Sequence, residues 1–296
     1  MMVFRKLEQD VIGFDNYVKE RGKNWKDFIP EGNPGPELSE QEGIDLYGAR
    51  LIGRWKSGAP LARCPYRDNQ DIFADEEETK KISEDPDRIN DFDYLVDDVA
   101  GVSANAPSNY YCPFTAHTRK TVPRNLHPYI DKSLLEAGGI VRAGIPYGDE
   151  VTKEERDAYD PKKPSPRGLL FVCYASSLDQ GFVRQSVEYG NNNYFPTTSF
   201  IPTNHGQDPI IGYSPEAPSN GALLHEATSF NNGDQVEIQF QSDEKYLSVS
   251  GFVKAKPRDF VRPPAEKYFV TSRGGEYFFM PSIPTLEAWA GAEYGE

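Results

Sequence analysis

Apolar residues interrupted by a basic pair open the chain. Met2-Val3-Phe4-Arg5-Lys6-Leu7 predicts a strand over 2–7. Phe14, Tyr17 and Val18 then recur at helical spacing and predict a helix around 15–21; Leu46, Tyr47, Leu51 and Ile52 do the same within 39–55. Pro30, Pro34 and Pro36 break the chain between them. Further on, 138–142 reads as a strand leading into a turn at 144–148. Leu169-Leu170-Phe171-Val172-Cys173-Tyr174 is a short continuous apolar run, as in a buried central strand. Residues 177–189 read as helical and 191–215 as loop. Near the end, 268–271 and 276–279 flank Ser272-Arg273-Gly274-Gly275 and predict a hairpin. Strands and helices interleave without regular βαβ spacing, so the expected class is α+β.

Composition narrows the picture. The chain has 296 residues, enough for two ordinary domains or one large one, and 25 Gly with 24 Pro predict many loops. A net charge of −14 argues against nucleic acid and anionic membrane surfaces. No apolar run approaches the ~20 residues of a membrane-spanning helix. Cys64, Cys112 and Cys173 are too scattered for a disulfide framework or a zinc site. The span 71–98, dense in acid around Glu76, Glu77 and Glu78, reads as a solvated linker. It divides an expected unit at 1–105 from a second at 106–296.

Candidate chemistry centres on Cys112-Pro113-Phe114-Thr115-Ala116-His117, which holds one of four histidines. A lone imidazole suits either a structural role or a metal that arrives already ligated in a macrocycle and needs one axial nitrogen. Arg119, Lys120 and Arg124 follow and could meet the carboxylates of such a macrocycle. Arg142 ends an apolar strand before a tight turn, as a surface arginine or as a fixed cation in a pocket. Leu169 and Phe171, two apart on a strand, share one face and form either plain core or the dry wall of a flat cofactor site. Asp208 is either a turn residue or the carboxylate that accepts the second N–H of a ligating imidazole.

Seven segments in order resemble the dye-decolorising haem peroxidases, especially their longer fungal members. They are Val3–Leu7, Gly53–Pro60, Cys112–Arg124, Arg142–Gly148, Arg167–Phe171, Asp208–Gly212 and Arg273–Phe279. The resemblance implies a pair of ferredoxin-like α+β halves and one haem b per chain, with hydrogen peroxide and small aromatic molecules as partners. It implies His117 as proximal iron ligand, Asp208 as its hydrogen-bonding partner and Arg124 as a propionate contact. Arg142 matches the distal arginine, Leu169 and Phe171 the apolar distal residues, and Tyr147 a surface relay for bulky dyes.

Two departures shape the expectation. Val122 stands where the family commonly has Asn, and the signature Gly-x-x-Asp-Gly is absent, for the chain has no Asp-Gly dipeptide. In relatives that motif precedes the Phe-Arg-Lys-Leu strand. The first ferredoxin-like half is therefore expected to be incomplete, with impaired peroxidase activity or non-catalytic haem binding as the alternative outcomes. Oligomeric state and compartment, secreted or cytoplasmic, stay open.

Overall fold

The computed structural model describes residues 1–27, 36–68, 92, 94, 111–124, 130–160, 163, 165–192, 195–196, 207–212, 236–239, 246–249 and 269–291. Its organising element is the first strand, β1 (Met2–Gln9), which lies inside an antiparallel sheet. On one side β1 pairs with β4 (Gly168–Tyr174), with Val3 opposite Cys173, Arg5 opposite Phe171 and Leu7 opposite Leu169. On the other side it pairs with β7 (Val270–Phe278). The far edge of β4 carries two short strands, β2 (Val141–Arg142) and β3 (Ile145–Tyr147). A separate pair, β5 (Val236–Gln239) and β6 (Tyr246–Val249), completes the described strands. This is the expected α+β class. β1 comes from the first of the two expected units and β4 and β7 from the second, yet all three are neighbours in one sheet. Phe92 and Tyr94, inside the acidic span read as linker, are buried in the core.

The predicted terminal hairpin is instead one continuous strand. Ser272-Arg273-Gly274-Gly275 is no turn; opposite Lys6 and Leu7 the register of β7 slips by one residue. Arg273 is the extra residue of that bulge, and Gly274, at φ 144°, absorbs the irregular backbone. Arg273 then reaches across to Glu8, at 2.6 and 3.0 Å.

Helix α1 (Val11–Gly22) starts where Asp10 accepts the Gly13 N–H at 2.9 Å. Helix α2 (Glu40–Ile52) begins with a reciprocal cap: Ser39 N–H donates to Glu42 at 2.8 Å, and Glu42 N–H donates to the Ser39 hydroxyl at 3.3 Å. The Ser39 N–H and the guanidinium of Arg67 hold the Glu42 carboxyl down at about 2. The two helices pack through Tyr17, Val18, Leu46, Tyr47 and Leu51, joined by Trp55, Leu61 and Phe269. Tyr17 and Tyr47 satisfy each other's buried hydroxyls at 2.9 Å. Among the described residues no helix is long and apolar enough to cross a membrane.

All three cysteines are buried; burial pushes the Cys112 thiol up to about 11 and raises that of Cys173. The sheet face bearing Val141, Ile145, Tyr174 and Phe278 leaves these apolar side chains exposed. The core itself is closely packed around Leu46, which is fully buried. Leu46→Ala should cost about 2–5 kcal/mol, read as a lower urea midpoint with an unchanged slope.

Candidate functional site

His117 opens a five-residue helix, α3 (His117–Thr121). Its place is set by the end of α2. Gly53 terminates that helix at φ 88°, and a Cβ there would lie 2.0 Å from the Thr118 hydroxyl. Only glycine both adopts this backbone and lets α3 come so close.

The basic residues after His117 divide in an unexpected way. Arg119 and Lys120 do not face outward as carboxylate partners; both are buried. Arg119 donates to the Cys112 carbonyl, and its guanidinium lies 3.9 Å from the Tyr94 ring centroid and 4.2 Å from that of Phe114. Lys120 donates to the Asn192 carbonyl. Burial pulls the Lys120 ammonium down to about 7, against the opposing charge of Asp208. Arg124 alone of the three stays half-buried, its guanidinium 4.3 Å from the Phe92 ring centroid.

Asp208 and His117 meet across 91 residues of sequence, with His117 Nδ1 donating to Asp208 Oδ2 at 2.7 Å. The other carboxylate oxygen accepts the N–H groups of Ile210 and Ile211 at 2.8 and 3.0 Å. Burial opposes a charged imidazole. The charge of Asp208 and its hydrogen bond outweigh that, with Arg142 weighing against them, so the His117 pKa lies above the ordinary value. With Nδ1 committed to Asp208, Nε2 is the nitrogen left to bind a metal.

The sheet supplies the remaining groups. Arg142 stands opposite Cys173 in the β2–β4 register, and strand alternation puts Arg142, Leu169 and Phe171 on one face. The π-type helix α4 (Asp179–Gly190) covers part of this face, with Phe182 6.0 Å from Phe171. Helix α4 also packs against α3. Arg142 is close enough for its charge to oppose protonation of His117. Tyr147 is not brought to this face. It pairs with Gly168, which points it to the opposite side, where the Lys6 ammonium lies 5.2 Å from its ring. Partial burial and Glu8 raise its phenol pKa.

Sequence reasoning missed Arg54, Phe92 and Tyr94. The Arg54 guanidinium shares the Phe92 ring with Arg124, at 4.4 Å from the centroid, and the buried Tyr94 hydroxyl has no hydrogen-bond partner. The signal for Arg54 was its place in Gly53–Pro60; Phe92 and Tyr94 were masked by acidic neighbours.

Among the described residues no group of three His, Cys, Asp or Glu side chains could hold a bare metal ion. One carboxylate-backed imidazole, an apolar wall, nearby guanidinium groups and an unpartnered phenol instead fit a carboxylated metal macrocycle. Fold and site thus define an α+β protein in which one buried carboxylate holds a single imidazole. The comparisons sharpen this. No family model matches the chain. It is 36% identical over 293 residues to a dye-decolorizing peroxidase of Mycena epipterygia, and 34% identical over 288 residues to AauDyP1 of Auricularia auricula-judae. These alignments cover 98% and 96% of this chain but 47% and 45% of the relatives. An ancestral D-type dye-decolorizing peroxidase superposes with a TM-score of 0.62 at 35% identity, covering 97% of this chain and 50% of the other. A dye-decolorizing peroxidase solved with 2,6-dimethoxyphenol superposes at 0.63 with 31% identity, covering 98% and 51%. The chain is similar to dye-decolorising peroxidases along nearly its whole length and spans about half the length of the curated relatives it matches.

Lys120 gives the site a testable electrostatic signature. Its ordinary pKa of 10.5 falls to about 7 on folding. Between those values the unfolded chain binds more protons, so this residue makes stability rise with pH across that window. Below pH 7 the buried cation is present in full and destabilises. Lys120→Met should therefore raise stability most at pH 6, by on the order of 1–4 kcal/mol, and flatten the rise between pH 7 and 10 in urea titrations.

Proposed function

We propose that this chain is the haem-holding part of a peroxidase that uses hydrogen peroxide to oxidise bulky aromatic molecules such as dyes and phenols. The observation that carries the reading is the His117–Asp208 pair, set near a sheet face that presents Arg142, Leu169 and Phe171 together. Haem b, one per chain, would supply the redox chemistry that these side chains lack. His117 would hold it through Nε2. Asp208 fixes the tautomer and the ring orientation and makes the imidazole more electron-donating. Arg142, permanently charged, would stabilise negative charge that develops on a peroxide oxygen. Leu169 and Phe171 keep water from that face, and Arg124 would meet a carboxylate at the macrocycle edge. Tyr147, on the opposite side of the sheet, would serve substrates too large to reach the pocket.

A second reading is haem binding without peroxidase turnover by these 296 residues taken alone, which contain no Gly-x-x-Asp-Gly acid. A positioned proton carrier contributes about 10²–10⁴ in rate, and a guanidinium that never deprotonates cannot take its place.

Loading the chain with haemin, recording its absorption and measuring peroxide-dependent bleaching of an anthraquinone dye separates the readings. A Soret band with turnover supports the peroxidase, and a Soret band without turnover supports the carrier. His117→Ala should lose the ligated spectrum, and Asp208→Asn should keep it with haem affinity about 10–100-fold weaker. A His117→Ala spectrum identical to that of the parent would sink both.

A further inference from the structure

The fully buried ammonium of Lys120 lies where three segments of the site meet. Its Nζ donates to the carbonyl of Asn192, just past the end of α4. Two residues earlier, the Gly190 carbonyl accepts the Asp208 N–H at 2.9 Å. One end of α4 therefore holds both partners of the ligand pair. It holds α3, which carries His117, through the Lys120 side chain, and it holds Asp208 through the backbone. A cation suits this place, because the carbonyls left free at a helix C-terminus carry partial negative charge.

Attachment alone does not call for lysine. A buried ammonium is costly, and a neutral donor would serve the Asn192 carbonyl. The charge has a nearby counterpart in Asp208, whose side chain is equally shut off from solvent and whose charge favours the ammonium while burial opposes it. Asp208 gives one carboxylate oxygen to the Ile210 and Ile211 N–H groups and the other to His117 Nδ1. In a dry interior a cation beside such a carboxylate acts strongly on it. It draws negative charge away from the oxygen that faces the imidazole, so the Nδ1 proton is held more by His117 and Nε2 donates less.

We infer that Lys120 is a positioning residue that tempers the pull of Asp208 on His117, so that an iron held by this imidazole is easier to reduce than the carboxylate alone would leave it. The inference rests on the haem reading above and adds to it the residue that balances the carboxylate behind the ligand. Asp208 makes the imidazole electron-rich, and Lys120 sets how far.

The test is a spectroelectrochemical titration of the full chain loaded with haemin, at pH 6, where the Lys120 ammonium is charged. Lys120→Met and Lys120→Gln should each shift the ferric–ferrous equilibrium about tenfold toward ferric iron, or about 59 mV for one electron. Both should also raise the iron–histidine stretching frequency of the ferrous form. Lys120→Gln keeps a donor for the Asn192 carbonyl, so it separates charge from attachment and carries the test if Lys120→Met does not fold. In an Asp208→Asn background the same substitutions should move the equilibrium by less than about twofold, because the carboxylate through which they act is gone. An unchanged equilibrium in Lys120→Gln marks a merely structural tie and overturns the inference, while the haem reading stands. Equal shifts with and without Asp208, or a shift toward ferrous iron, overturn it in the same way. If the parent chain does not bind haemin, the haem reading falls and the inference with it.

Discussion

The Asp208 carboxylate is the junction on which the site depends. Fully buried, it accepts two backbone N–H groups on one oxygen and the His117 imidazole on the other. Such saturation lets a carboxylate remain charged away from water, and it removes the freedom of that carboxylate to turn. The geometry of His117 is therefore inherited from a short loop 91 residues away and not from its own five-residue helix. A helix that short has little intrinsic stability, so α3 is held by its surroundings. Gly53 presses one side of it, Arg119 and Lys120 tie it to carbonyls behind it, and Asp208 fixes the functional end.

The sheet does a complementary task by sorting side chains. Because side chains alternate along a strand, the register that puts Arg142 opposite Cys173 also decides that it joins Leu169 and Phe171. The same register sends Tyr147 to the other side. A slip of one residue would exchange these roles. That register is anchored by β1, which pairs along almost its whole length with both neighbours and buries Val3 completely.

Much of this was legible from residue pattern. The strand at the amino terminus, the helices carrying Tyr17 and Leu46, and the apolar run that became β4 all follow from periodicity. The shared face of Leu169 and Phe171 follows from strand geometry alone. Other features were hidden for physical reasons. Charge predicts exposure only on average, so nothing local revealed that Arg119 and Lys120 would be buried and would each donate to a carbonyl. Phe92 and Tyr94 lie among acidic residues whose density masked two core aromatics. Gly274-Gly275 signals a turn equally well whether the chain reverses or merely bulges, and only the pairing of β7 with β1 distinguishes the two. The pairing of Asp208 with His117 depends on contact between distant segments, which a single sequence reaches through family resemblance and not through local propensity.

The three cysteines carry a consequence of a different kind. Thiol oxidation proceeds through the thiolate and requires access. Cys112 and Cys173 are 2% and 0% exposed, and burial holds both thiols in the protonated form at neutral pH. Cys64, 1% exposed, is equally out of reach. The thiols of this fold are thereby kept chemically silent, and an oxidant that would convert a surface thiol to a sulfenic acid finds no such thiol until the fold opens.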